Sequence, residues 1–429
     1  MMSNVALSID ALRSAVRALP GNRLQAVRDA ALKQLGERGT PTIRHEDWKY
    51  TDLAPVIDIS NDWLAANTPV DDPATLAETI SAIRKCQDAH WIVIANGEID
   101  EASLATARAA GIDVSLFSES DTVPGFDAPL ADLNVALLRD GLQILVHPDA
   151  SLEKPVGLLL VDSAIAADSV SQVNVNIEMA ANSEACFVEY HASLGGARHY
   201  ANSVINLALA DAARVRYLRL QDRHTAHSQT GRLHVQLGRD SNFDHCAFDL
   251  GGKLVRNDLA IQIAGPGANA AFHGLYVAGN EQHIDNHTRV DHKVGPARSE
   301  QQYRGILGGS SRCIWNGKAI VHPGADGTDA EQANHNLLLS AKAEVDAKPE
   351  LEIYADDVKC AHGTTVGQLD ESALFYLRTR GIDKRTARRL MTRAFAETIV
   401  AMAPIESWRE MISERVVERL STLTHGEDE

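Results

Sequence analysis

A thiol and an imidazole two residues apart, Cys360 and His362 in Val358-Lys359-Cys360-Ala361-His362-Gly363, form the stretch of this chain best suited to chemistry. In an extended strand, side chains at i and i+2 share a face. Their Cα atoms then lie about 6–7 Å apart. A thiolate beside an imidazole matches iron, zinc or copper(I) in ligand preference. A stable iron–sulfur cluster takes about four protein ligands, so this pair is at most half of a shared or transient site. The plainer reading of the same residues is a small buried thiol and a histidine that caps the turn at Gly363.

Other constellations are weaker. His283-Ile284-Asp285-Asn286-His287, followed by His292, has a spacing that would gather metal ligands on a helix. The surrounding sequence reads as strand and loop, where i and i+4 are far apart. His322-Pro323-Gly324 reads as a turn. Gly317-Lys318 resembles the end of a phosphate loop, but Arg312 stands where the first glycine belongs and Ala319 replaces Ser/Thr. That loop needs those residues to wrap phosphates and hold magnesium, so ATP binding of this kind is not expected. The G-x-S-x-G elbow, H-E-x-x-H and a dinucleotide fingerprint are all missing from the sequence.

The elements that must position these residues change texture along the chain. Ser8 to Leu19, Arg23 to Gly36 and Thr75 to Cys86 have helical apolar spacing. Trp91–Ala95 and Gln143–His147 read as short strands. Farther on, Val173–Met179, Val204–Leu209, Val215–Leu220, Leu233–Leu237 and Leu259–Ile263 alternate with period two, as half-buried strands do. Gly195-Gly196, Gly251-Gly252, Gly265-Pro266-Gly267 and Gly308-Gly309 separate them as turn material. Leu351, Ile353 and Ala355 alternate too, and predict a strand that leads into Cys360. Short strands without intervening helices fit a sandwich, a barrel or a β-solenoid, and no crisp repeat selects one of the three. After about 365 the chain is helical again. Asp370 and Asp383 are N-cap candidates and Gly381 a stop. The helix after Asp383 carries an apolar face of Ala387, Leu390, Met391, Ala394, Phe395, Ile399 and Met402. Arg385, Arg389 and Arg393 line its other surface, with Lys384 and Arg388 nearer the edge. Those arginines suit either a solvated surface or partner docking through forked hydrogen bonds. The acidic end, His425 to Glu429, reads as frayed. Three segments follow: 1–150, mainly helical; 151–362, rich in strands; and 363–429, helical.

Composition bounds the function. The 429 residues carry a formal net charge of −17. That disfavours nucleic acid, whose phosphates call for clustered Lys and Arg. No apolar run of about 18 residues exists, so a membrane span is not expected. Met1–Leu19 carries Asp10 and Arg13 and lacks the apolar core of a signal peptide. Five widely spaced cysteines without a CxxC pair point to a reducing, cytoplasmic setting.

Longer stretches resemble the SufB/SufD family of iron–sulfur cluster assembly. The run from His322-Pro-Gly-Ala-Asp-Gly-Thr-Asp-Ala-Glu-Gln-Ala-Asn-His to Ser340 is similar to that family's hallmark. It continues through Lys348-Pro-Glu-Leu-Glu-Ile353, Cys360-Ala-His-Gly-Thr-Thr-Val-Gly367 and Leu374-Phe-Tyr-Leu-Arg-Thr-Arg-Gly381. The Cys-x-His-Gly form and the early Glu46-Asp-Trp-Lys-Tyr-Thr51 look like the SufD branch; Ala361 and Thr364 are small variations on its pattern. The resemblance implies a right-handed parallel β-helix for 151–362, between an N-terminal helical domain and a C-terminal, ATPase-docking one. It implies a non-catalytic scaffold that works with a SufB-like subunit and a SufC-like ABC ATPase, and a homodimer when alone. A transient cluster shared with the partner would be held by His362 and Cys360, with none tightly bound to the isolated chain. Phe375, Tyr376, Arg385, Arg388, Arg389 and Arg393 would dock the ATPase. The alternative is a β-helix enzyme acting on a polysaccharide or another polymer.

Overall fold

The structure is a computed structural model that describes residues 6–66, 73–121, 123–125 and 127–423; the acidic end at 425–429 lies outside them. The first part holds helices α1 (Ile9–Ala18), α2 (Gln25–Arg38), α3 (Ala54–Ala66) and α4 (Pro73–Cys86). Strands β1 (His90–Ala95) and β2 (Glu98–Ile99), helix α5 (Glu101–Ala109), strand β3 (Asp113–Leu116), helix α6 (Ala131–Leu137) and strand β4 (Leu142–Val146) follow. Then come β5 (Val156–Ser163), β6 (Ser169–Met179), β7 (Glu184–Leu194), β8 (His199–Leu209), β9 (Arg214–Asp222), β10 (His227–Leu237), β11 (Asn242–Asp249) and β12 (Leu254–Ile263). The run ends with β13 (Asn269–Ala278), β14 (His283–His292), β15 (Arg298–Leu307), β16 (Arg312–Val321), β17 (Asp329–Leu338), β18 (Glu344–Ile353) and β19 (Lys359–Gly367). Helices α7 (Glu371–Thr379), α8 (Lys384–Val400) and α9 (Arg409–Leu423) close the chain. No helix among the described residues is long and apolar enough to cross a membrane.

Odd-numbered strands from β5 to β19 pair in parallel in one sheet, and even-numbered strands from β4 to β18 in a second. The chain crosses from sheet to sheet after every strand, so two strands make one turn of a parallel β-solenoid. This is the mainly β, β-helix architecture expected from the resemblance, with helices before and after it. Paired positions on successive turns lie about 30 residues apart, as Ala330 does from Cys360. The first strands also join in: β1 and β2 extend the odd sheet, and β4 and β3 the even one.

Alternation builds the core. Phe187, Tyr217, His245 and Phe272 stand in register on the inward side of the odd sheet. Val175, Ile205, Leu233 and Leu259 face them from the even sheet. Each such apolar side chain removed from water contributes about 1.5–3 kcal/mol. The outer faces are covered as well. Helices α8 and α9 lay Ala396, Ile399, Val400, Ile412 and Val416 over Leu218, Leu220, Phe248 and Leu275 of the odd sheet. Helices α1, α2, α3 and α6 form a separate cluster that reaches Tyr200 and Leu254 of the even sheet.

Two local expectations need correction. The strand from Leu351 does not run on to Cys360: β18 ends at Ile353, a turn follows, and β19 begins at Lys359 in the other sheet. A solenoid must turn there to change sheets. The buried face of α8 is also rotated from the expected stripe. Ala387, Thr392, Ala396, Ile399 and Val400 are buried, while Leu390 is 46% exposed. Packing on the solenoid selects the small-residue side, and Leu390 instead borders a hollow with Val417 and Leu420 of α9. The N-caps are as expected: Asp383 accepts from the Thr386 amide at 3.0 Å and Asp370 from the Ser372 amide at 2.9 Å.

Candidate functional site

The last turn of the solenoid is an open end. Among the described residues, no further strand pairs with the outer edge of β18 or β19. Every residue of β19 except Cys360 is exposed, and Cys360 is half-buried. Cys360 pairs in register with Ala330, and His362 with Gln332. Ala330 and Gln332 are buried at 0% and 4%. They belong to the inward column of the odd sheet, in line with Ser299 and Gln301. Cys360 and His362 therefore share one face, as their spacing requires, and that face caps the solenoid interior. Burial, with Asp329 nearby, raises the Cys360 thiol above its ordinary pKa. Such a thiol ionises when a cation arrives, and metal binding then releases a proton.

The interior beneath this end is polar. Arg219 pairs with Asp249 at 2.9 Å. Asn257 joins Asp249 to Asn286, donating at 3.2 and 2.9 Å. Farther along, Tyr276 Oη donates to Asn336 at 2.5 Å and accepts from Asn334 at 3.0 Å. Asn336 in turn donates to the Thr365 carbonyl of β19 at 3.4 Å. This seam was not singled out from the sequence, although its residues break the apolar alternation of the strands that carry them.

The structure does not join the other candidates to this end. His283, Asp285 and His287 lie on the outward face of β14, while His292 faces inward and meets Ser299 at 2.9 Å. Asp285 is fully buried and pairs with Arg256 at 2.6 Å; Thr51 donates to it at 2.5 Å. Arg256 stacks 4.4 Å from the Trp48 ring. The Glu46–Thr51 segment is thus clamped against the even sheet. Burial opposes ionisation of Asp285, but Arg256, His287 and Thr51 outweigh it and hold the carboxyl well below its usual range. His322 meets Asp291 at 2.8 Å beside its turn. Lys318 sits within β16 and pairs with Glu352 at 2.5 Å, which is strand geometry and not a phosphate loop. No cluster of three or more His, Cys, Asp or Glu positioned for a metal occurs among the described residues. All five cysteines are free thiols, three of them buried.

The docking candidates lie on the C-terminal helices. Phe375 and Tyr376 of α7 are 67% and 58% exposed. Arg380 stacks on the Tyr376 ring at 5.2 Å. Arg385, Arg389 and Arg393 lie on exposed positions of α8, and Arg388 is half-buried, reaching the Leu339 carbonyl at 3.5 Å.

Residues 163–395 match the family model described as the SufBD core domain of the SUF system for FeS cluster assembly. The iron-sulfur cluster assembly protein SufD of Escherichia coli is 29% identical over 395 residues, which is 91% of this chain and 91% of that protein. An iron-sulfur cluster assembly SufBD family protein of Mycobacterium bovis is 30% identical over 65% of this chain and 70% of its own length. The SufD protein of Bacillus subtilis is 27% identical over 74% of this chain and 72% of its own.

Proposed function

The chain belongs to the SufBD family of the SUF system for iron–sulfur cluster assembly, and from that premise we propose that it is a non-catalytic scaffold whose open solenoid end holds a nascent cluster jointly with a partner subunit. The observation that carries this reading is that Cys360 and His362 share one face of β19, an edge strand paired with β17 on one side only among the described residues. Two donors are too few for a stable cluster. They suit a cargo that is completed from across an interface and later released. The remaining ligands would come from a SufB-like subunit.

The exposed edges of β18 and β19 offer unpaired N–H and C=O groups, which favour strand pairing with another chain. We assign the SufB-like partner to that edge, with a second copy of this chain as its substitute when the protein is alone. ATP hydrolysis falls to a SufC-like ABC ATPase, because this chain carries no phosphate loop. Its docking surface is assigned to α7 and α8, where aromatic and arginine side chains of the kind enriched at interfaces are exposed. Family membership favours this reading over a polymer-acting β-helix enzyme. Co-expression with a SufB-like and a SufC-like chain tests it. A stable complex that carries iron and sulfide is expected. A chain that purifies alone from such cells would sink the proposal.

A further inference from the structure

A groove of about 490 Å³ runs along the outer face of the even-numbered sheet. Its floor is the outward side of β10, β12, β14, β16 and β18, and its wall is the Glu46–Trp48 turn with Pro129. The floor is a ladder of charges, most of them spoken for. Asp291 takes Arg289 at 2.6 Å and His322 at 2.8 Å. Glu350 takes Lys348 at 3.0 Å and lies 3.9 Å from Lys318. Asp258 stands opposite Arg232 in the strand ladder, but Arg256 occupies it through Nη2 at 2.8 Å and Nε at 3.3 Å.

Arg232 and His234 are left over. They stand two residues apart on β10, share its outward face, and both line the groove. Neither makes a hydrogen bond or an ion pair among the described residues, and each is half-buried. Burial lowers the pKa of Arg232 against the pull of Asp258, and burial followed by Arg232 lowers that of His234. Neither side chain is sealed in the interior: both open onto the groove, where a ligand can reach them. With no protein acceptor among the described residues, the guanidinium and the imidazole keep N–H donors free for an anion that enters the groove.

We propose that Arg232 and His234 form a binding site for a phosphate group, free or as the monoester of a small molecule. An arginine fork holds two phosphate oxygens at once. A carboxylate is saturated by that fork, whereas a phosphate keeps a third oxygen for the His234 N–H. Arg289 lies close enough to Arg232 to add to the local positive field. The groove falls within the usual size range of small-molecule sites, about 300–1,000 Å³, and has room for the body of a phosphomonoester beside Ala260 and Pro129.

Titration calorimetry on the full-length chain in phosphate-free buffer tests this, with inorganic phosphate and adenosine monophosphate as the two probes. Saturable binding of at least one probe is expected, and Arg232→Gln should weaken it by about tenfold or more. Tighter binding of the nucleotide would identify an esterified ligand, and equal binding would identify free phosphate as sufficient. Lys342→Gln, on an exposed loop outside the groove, should bind like the parent. Thermal melting without phosphate should show Arg232→Gln about as stable as the parent, because the side chain makes no hydrogen bond or ion pair among the described residues, so lost binding is not lost folding. The site is overturned if neither probe binds up to about 10 mM, or if a folded Arg232→Gln protein binds with unchanged affinity.

Discussion

His362 and Gln332 are register partners on adjacent strands, one exposed at the open end of the solenoid and the other buried in its interior. The relationship makes His362 a surface residue in a core position. It would be buried if another strand were added, so substitutions there test assembly without emptying a packed core.

The first prediction concerns the free edge. The Lys359 amide donates back to the Thr328 carbonyl of the preceding turn. By alternation, the amides of Cys360, His362 and Thr364 point away from β17 toward solvent. Thr364→Pro therefore blocks an outward donor while sparing the ladder to β17. Sedimentation should show the variant shifted toward monomer, with a circular dichroism spectrum like the parent's. An unchanged assembly state would move the interface off this edge.

ATPase docking is tested on α7 and α8. The double variant Arg385→Glu/Arg389→Glu and the single variant Phe375→Ala change exposed side chains, so melting temperatures should stay close to the parent's. Affinity for a SufC-like partner should fall by about tenfold or more, as for an interface anchor worth over 1 kcal/mol. Unchanged titration curves for both variants would place the dock elsewhere.

Buried charges set the acid stability. Asp285 has its pKa held below the usual range, so its contribution is fully present above the unfolded value of about 4 and is lost as pH falls through the folded value. Asp285→Asn should flatten the stability profile below about pH 4. At neutral pH, Asp285→Ala should cost about 3–5 kcal/mol, because it strips a buried partner from Arg256. Denaturant melts at several pH values measure both. A variant as stable as the parent at pH 7 would show that Asp258 suffices for Arg256.

The isolated chain should turn over no ATP above background. Lys318, whose Gly317-Lys318 pair resembles the end of a phosphate loop, is held in β16 by Glu352. Turnover that persists in a Lys318→Ala variant of undiminished purity would point to a second, unrecognised nucleotide site.

Much of this fold was legible as elements but not as a topology. Period-two runs such as Val173–Met179 and Leu259–Ile263 lie in β6 and β12. The solenoid hid because its interior carries Glu189, Arg219, Asp249 and Asn257 at inward positions where alternation calls for apolar residues. Covered outer faces blurred it further: β5 is buried at every position. The shared face of Cys360 and His362 could be read from their spacing. Their place at an open end could not, because it depends on where the stacking of turns stops. Nor did the sequence reveal that Arg256 stacks on Trp48 and bonds to Asp47 O, a contact between segments 209 residues apart.

The central claim is that the open end binds a cluster through His362, assisted by Cys360. The direct measurement is iron and acid-labile sulfide per complex, after co-expression with SufB-like and SufC-like partners, for the parent, His362→Ala and Cys360→Ser. His362→Ala should leave the complex assembled and its ATPase active but lower both iron and sulfide, and Cys360→Ser should do the same or less. Full cluster content at the parent rate in both variants would contradict the claim and put the site within the partner.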